Sequence, residues 1–208
     1  MNEKYAIGVD IGGSHIACQV MELNSCTPVA ETYTEVKIAE SESAQKILSA
    51  WDNALSECMQ KAGARAITGL GVAIPSPFDF IRGIAQAEHK FASIKGINVR
   101  SELHRITGIE PSNIRFTNDA AGFGMGAWSL GGEKARHLIG VTLGTGFGAS
   151  FIVDGCYATY GPGVPIGGEL WDYPFRGRIA EDFVSTRWFE EEFHQITGVP
   201  ITGVKPMI

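Results

Sequence analysis

Cysteine is scarce and scattered in this chain. The four cysteines, Cys18, Cys26, Cys58 and Cys156, show no CxC or CxxC spacing, so neither a disulfide framework nor a zinc cluster is implied and reduced thiols are expected. Basic runs are missing as well: 17 Lys and Arg stand against 23 Asp and Glu, for a formal charge of -6. A nucleic-acid surface needs clustered cations to meet phosphates, so no nucleic-acid partner is expected. No apolar run approaches the roughly 20 residues that a bilayer-crossing helix requires. The first ten residues do not form a basic segment followed by an apolar one, so a cytoplasmic protein without a membrane partner is the expectation. What remains is a 208-residue chain with 44% hydrophobic residues, enough for one large domain or two small ones.

The first motif is "IGVDIGGSHIA", residues 7–17. Apolar and small or polar residues alternate through 5–21 on both sides of Gly12-Gly13, the pattern of two antiparallel strands joined by a tight turn. A third strand is expected over 29–36. The period then changes: Ala44, Ile47, Leu48, Trp51, Leu55, Cys58, Met59 and Ala62 fall on one face of a helix over 41–62, closed by Gly63. Residues 67–74 read as a buried strand, 75–79 as a proline-punctuated loop, and 99–107 as a short helix stopped by Gly108. Residues 114–117 are strand-like, and a helix opens at Asn118 or Asp119, either of which suits an N-cap. Two strands are expected over 138–153 around Gly144 to Gly148, then a Gly- and Pro-rich functional loop over 160–177 and an amphipathic helix over 179–197.

Shifting the chain by 132 residues lays "IGVDIGGSHIAC" over "IGVTLGTGFGAS" with five identities in twelve positions. Two copies of one hairpin unit are expected. In a dinucleotide-binding or P-loop site the glycines lie between a strand and a helix. Here a strand follows them. Glycines at a hairpin tip still leave backbone N–H groups uncovered and able to approach an anion. Two such tips, one beside Asp10 and the other carrying Thr145, suit a polyphosphate, although each alone is also what an ordinary tight turn would contain.

The stretches "GVDIGGSHIA", "GVAIPSPFDF", "FTNDAAGFGMGAW", "GVTLGTGFGASFIVDG" and "GGEL" occur in an order and spacing that resembles the sugar kinases of the ROK family (repressors, open reading frames and kinases). The resemblance implies an α/β actin-like ATPase fold of two similar lobes, 1–117 and 118–208, each a mixed sheet flanked by helices. It implies phosphorylation of a hexose by ATP with Mg2+. Asp119 would be the base that accepts the sugar hydroxyl proton, in keeping with the need of phosphoryl transfer for a positioned carboxylate. Asp10 would organise magnesium through water, as suits an ion that keeps most of its waters. Gly12, Gly13 and Ser14 at the first tip, and Gly144, Thr145 and Gly146 at the second, would contact phosphate. Ser76, Asn118, Asp119 and Glu169 would contact the sugar, with Glu169 favoured because a lone acid in a Gly-rich apolar loop has no obvious structural partner.

Several departures from the family pattern bear on these roles. His15 stands where these kinases often carry Thr-Lys. The usual Glu-x-Gly-His and CxCGxxGC zinc motif are replaced by 169–175, "ELWDYPF", so no structural zinc is expected, and Trp171 or Asp172 takes over part of the sugar contact. The second half lacks the return strands and closing helices of the first, which points to a chain truncated at its C-terminal side, with an exposed sheet edge and weakened nucleotide binding. Resembling kinases are commonly homodimers. Two alternatives stand beside the kinase: a sugar-binding regulator and a catalytically inactive scaffold. The repressors of the family carry a helix-turn-helix ahead of the first hairpin, whereas only six residues precede Ile7 here, which argues against DNA binding.

Overall fold

The computed structural model describes residues 4–88, 91–131, 135–144 and 146–204. It divides into two compact units, Met1–Asp119 and Ala120–Ile208.

In the first unit, β1 (Tyr5–Gly12) and β2 (His15–Glu22) form the expected antiparallel hairpin, with Gly13 and Ser14 as its turn. The strand expected over 29–36 is instead two short strands, β3 (Thr27–Pro28) and β4 (Thr34–Lys37), with a 3-10 turn at Ala30–Thr32 between them. The interruption has a local cause. The buried Thr32 hydroxyl accepts from the Val20 N–H at 2.9 Å and donates to the Val29 carbonyl at 2.7 Å, so a side chain replaces the ladder there. Helix α1 (Ala44–Ala62) starts at the Ser43 cap and ends at Gly63. Next come β5 (Ile67–Ala73) and the short pair β6 (Phe78–Asp79) and β7 (Ile84–Ala85), which takes up the end of the expected 75–79 loop. Helix α2 (Val99–Thr107) is capped by Asn98 and stopped by left-handed Gly108, and β8 (Ile114–Thr117) closes the unit.

The six-stranded sheet runs β3-β2-β1-β5-β8, with β4 also paired to β2. Strands β1, β5 and β8 are parallel, and β2 is antiparallel to β1. Strand alternation sends Ile7, Val9, Ile11, Ile16, Cys18, Val20, Leu70 and Val72 into one core with Ile47, Trp51, Leu55 and Leu103 of the two helices. Gly8, Asp10 and Gly71 fall on the opposite side of the pleat, outside that core.

In the second unit, α3 (Asp119–Leu130) precedes β9 (His137–Leu143), β10 (Phe147–Val153) and β11 (Cys156–Ala158), which form a sheet of order β11-β10-β9. Strand β9 is an edge of that sheet, and its Ile139, Val141 and Leu143 are exposed. A small hairpin, β12 (Pro174–Phe175) and β13 (Arg178–Ile179), falls at the end of the Gly-rich segment. Helix α4 covers Thr186–Thr197, so the helix expected from residue 179 starts seven residues later. Ile179 belongs to β13, and Ala180 and Glu181 donate their N–H groups to the Tyr173 and Trp171 carbonyls. The Ser185 side chain then caps α4. Among the described residues no helix is long and apolar enough to cross a membrane.

Both glycine motifs are hairpin tips, but they are not superimposable by the 132-residue shift. Val9 pairs with Cys18, whereas its counterpart Val141 pairs with Ala149 rather than Ser150. The register of the second hairpin is displaced by one residue: Ser150 and Ile152 stay buried like their counterparts Cys18 and Val20, whereas Ile139, Val141 and Leu143 of β9 are exposed where Ile7, Val9 and Ile11 are buried.

Candidate functional site

Register brings the first group of residues together. Asp10 of β1 lies beside Ala73 of β5, and Ala73 lies beside Thr117 of β8. These are the carboxyl ends of three parallel strands, the edge at which open α/β sheets bind ligands. Ser76, Asn118 and Asp119 follow within three residues of those ends. The Asn118 amide donates to the Ser76 hydroxyl at 3.3 Å, and the intervening link holds because the Ile74 N–H donates to the Thr117 carbonyl at 3.0 Å. Asp119 is the first residue of α3 and exposed.

Asp10 is half-open, its side chain 56% exposed, with its carboxylate 3.7 Å from His15 Nε2. Partial burial holds the Asp10 carboxyl above the ordinary aspartate range; His15 opposes that shift and the negative charge of Asp119 adds to it. Asp10 therefore feels the charge of Asp119, a repulsion that a divalent cation relieves. The His15 ring also lies over Gly12, where an added Cβ would stand 3.2 Å from the ring, and its Nδ1 is 3.2 Å from the Ser14 hydroxyl. At Gly13 an added Cβ would stand 2.5 Å from a Glu40 carboxylate oxygen, and the Glu40 N–H donates to the Gly13 carbonyl at 2.9 Å. Neither Gly12 nor Gly13 has a positive φ. Their requirement is for space, because neighbouring side chains close over the tip.

In the second unit, Gly144 is exposed, with no described atom within 4 Å of where its Cβ would be. Gly146 is closely covered: its Cβ would stand 2.5 Å from the Glu181 carboxylate, which accepts the Phe147 N–H at 2.9 Å. Thr145 lies outside the described residues. Glu169 is half-buried and does have a partner, contrary to expectation, since the Trp171 indole N–H donates to its Oε2 at 2.6 Å. Tyr157 stands close to the same acid: burial, and then the charge of Glu169, raise its phenol above the usual value. Trp171 is 42% exposed, leaving part of its ring open beside Glu169.

Sequence reasoning missed Glu40 and Glu181, the carboxylates that stand over Gly13 and Gly146. Both are brought there by contacts distant in the chain, which no local spacing records.

The comparisons agree with this architecture. The ROK family profile matches residues 6–166. A ROK hexokinase from Thermus thermophilus is 21% identical, with a TM-score of 0.64 over 95% of this chain and 66% of its own. A ROK family glucokinase from Streptomyces griseus, in complex with glucose and AMPPNP, is 19% identical, with a TM-score of 0.65 over 93% and 62%. A ROK family transcriptional regulator, a homologue of the E. coli MLC protein, is 15% identical, with a TM-score of 0.69 over 99% and 53%. The chain thus spans between about half and two thirds of the length of these structures. No curated protein sequence matches it. The fold is the α/β actin-like fold of these neighbours, and with the family profile covering most of its length the chain belongs to the ROK family.

Proposed function

We propose that this chain carries the sugar- and phosphate-binding machinery of an ATP-dependent hexose kinase. The observation that carries the reading is the register of β1, β5 and β8, which sets Asp10, the Ser76–Asn118 pair and Asp119 along one sheet edge. Asp119 acts as base. The sugar hydroxyl oxygen attacks the γ-phosphorus of ATP, its proton passes to the Asp119 carboxylate, and the bond from the γ-phosphorus to the leaving oxygen of ADP breaks. A positioned base of this kind contributes about 10²–10⁴-fold. A carboxylate fixed where a strand ends and a helix begins needs little reorganisation to reach its proton.

Asp10 suits a magnesium held through water, because it is a half-exposed carboxylate whose charge is disfavoured by partial burial and, to a lesser degree, by the charge of Asp119. Bound magnesium would supply charge neutralisation on the phosphates. Gly12, Gly13, Ser14, Gly144 and Gly146 serve the phosphates by close approach of the backbone; Gly144 contributes the open space at its Cα, since its own N–H donates to the Gly146 carbonyl at 3.0 Å. Ser76, Asn118 and Glu169 bind sugar hydroxyls, with the Trp171 indole fixing the orientation of Glu169.

The test is ADP release from MgATP against a panel of hexoses and N-acetylhexosamines. Turnover with one sugar supports the kinase and names its substrate. A second reading, a sugar-binding regulator, is favoured by the likeness to a ROK transcriptional regulator; sugar binding without turnover for any member of the panel would select it.

A further inference from the structure

Glu181 has no part in the chemistry described so far, yet it is bonded at both its backbone and its side chain, to two different segments of the second unit. Its backbone is seated on the sugar-side loop. The Glu181 N–H donates to the Trp171 carbonyl at 3.0 Å, and the preceding Ala180 N–H donates to the Tyr173 carbonyl at 2.8 Å. Its side chain reaches the other way, to the glycine tip, where Oε2 accepts the Phe147 N–H at 2.9 Å. The same carboxylate fills the space beside Gly146 that any side chain would need. Five residues further on, at the start of α4, the Thr186 N–H donates to the Gly144 carbonyl at 3.1 Å. The tip is therefore held from one short segment at two points, on each side of its turn.

The loop end of this connection is equally defined. Trp171, whose carbonyl receives the Glu181 N–H, donates its own indole N–H to Glu169 at 2.6 Å. A continuous path of hydrogen bonds leads from Glu169 through Trp171 and Glu181 to Phe147 at the tip. A carboxylate accepting a backbone N–H makes a charge-assisted bond, stronger than a neutral one. Glu181 is anchored by its backbone to one end and by its charge to the other, so a displacement of the tip is passed to the loop rather than absorbed by a free side chain.

We propose that Glu181 is a positioning residue that ties the sugar-side loop to the second glycine tip, so that phosphate at the tip and sugar at Glu169 bias each other's binding. The tie itself is a feature of this unit alone. Its consequence for binding rests on the kinase reading of Gly144, Gly146 and Glu169. Coupling of this kind is reciprocal: a phosphate ligand that settles the tip improves the sugar site by the same factor as sugar improves the tip.

The test uses the 15N-labelled chain and the resonances of the Phe147 amide and the Trp171 indole, with Glu181→Ala and Glu181→Gln beside wild type. Without ligand, Glu181→Ala should move the Phe147 amide upfield and also move the Trp171 indole. Glu181→Gln, which still offers an acceptor oxygen, should leave the indole in place with a smaller amide shift. Should the alanine variant not fold, the glutamine variant carries the comparison through that smaller amide shift. A Phe147 amide unmoved by both variants overturns the tie. AMPPNP with Mg2+ is then added as the phosphate probe. In wild type both resonances should respond together, and in Glu181→Ala only the Phe147 amide should follow. An indole silent in wild type while the amide responds, or one that follows equally in Glu181→Ala, overturns the coupling. If AMPPNP moves neither resonance in wild type, the phosphate reading of the tip fails and takes the coupling with it, while the ligand-free comparison still decides the tie.

Discussion

Helix α3 begins at Asp119, and its seating is open to a stringent test at Gly124. This glycine packs against the sheet of the second unit, where the Ser150 side chain is fully buried and its hydroxyl has no hydrogen-bond partner among the described residues. A methyl on Gly124 would overlap that hydroxyl, stand 3.3 Å from the Ser150 Cβ and 3.5 Å from Ile152 Cδ1. Gly140 of β9 meets the same hydroxyl, and its added Cβ would be 3.0 Å from the Gly124 Cα. Gly124→Ala gains about 1 kcal/mol of helix propensity but forces overpacking worth about 1–3 kcal/mol. We expect a net loss of up to about 2 kcal/mol, or up to a few degrees in Tm for a chain of this size. Ser150→Ala removes the obstructing oxygen and an unpartnered buried hydroxyl, so alone it should stabilise by about 1 kcal/mol. In that background Gly124→Ala should be near neutral, giving a coupling of up to about 2 kcal/mol in a double-mutant cycle. Circular dichroism melts of the four proteins supply the numbers. If Gly124→Ala raises Tm in the wild-type background, helix propensity governs the site and the close-packing argument is wrong.

Three further outcomes are expected. Because folding holds the Asp10 carboxyl above its ordinary range, its contribution to stability is present at low pH and is lost as pH rises through the raised value. Asp10→Asn should therefore raise Tm at neutral pH in metal-free buffer, with the gain vanishing below the ordinary aspartate range; a gain that grows on acidification contradicts this. Asn118→Ala removes the 3.3 Å bond to Ser76 and should raise the KM for sugar roughly fivefold, from about 1 kcal/mol of lost hydrogen bonding; steady-state kinetics with an unchanged KM would remove Asn118 from the sugar contacts. Gly155 has φ +81° and an added Cβ would stand 2.6 Å from the Trp128 ring, so Gly155→Ala should cost about 1–3 kcal/mol, read from urea midpoints.

Much of the first unit is legible from local signals. The buried alternation Ile7, Val9, Ile11 gives β1 and leaves Asp10 on the other side of the pleat. The face from Ile47 to Ala62 gives α1, and the Asn98 cap with left-handed Gly108 fixes α2 at both ends. The second unit is harder because its order comes from longer contacts. Ile179 and Phe183 continue the apolar spacing of α4, but hydrogen bonds to 171–173 hold that segment outside the helix. The one-residue displacement of the second hairpin is also invisible in the sequence, where Ala17 and Ala149 match by type and not by place. At the site, Asp10, Ser76, Asn118 and Asp119 stand out as residue types beside strand ends. The carboxylates of Glu40 and Glu181 do not, since their closeness to Gly13 and Gly146 depends on how distant segments fold back.

In the proposed kinase reaction everything turns on Asp119 taking the proton from a sugar hydroxyl. Asp119→Asn keeps the size of the side chain and removes its basicity, and loss of a charge in the first turn of a helix costs only about 0.3–1 kcal/mol. The decisive measurement is ADP release by wild type and Asp119→Asn with the sugar that supports turnover, beside calorimetric sugar binding by both. Turnover of Asp119→Asn should be lower by about 10²–10⁴-fold with sugar affinity nearly unchanged. Turnover within a few-fold of wild type would contradict that role for Asp119.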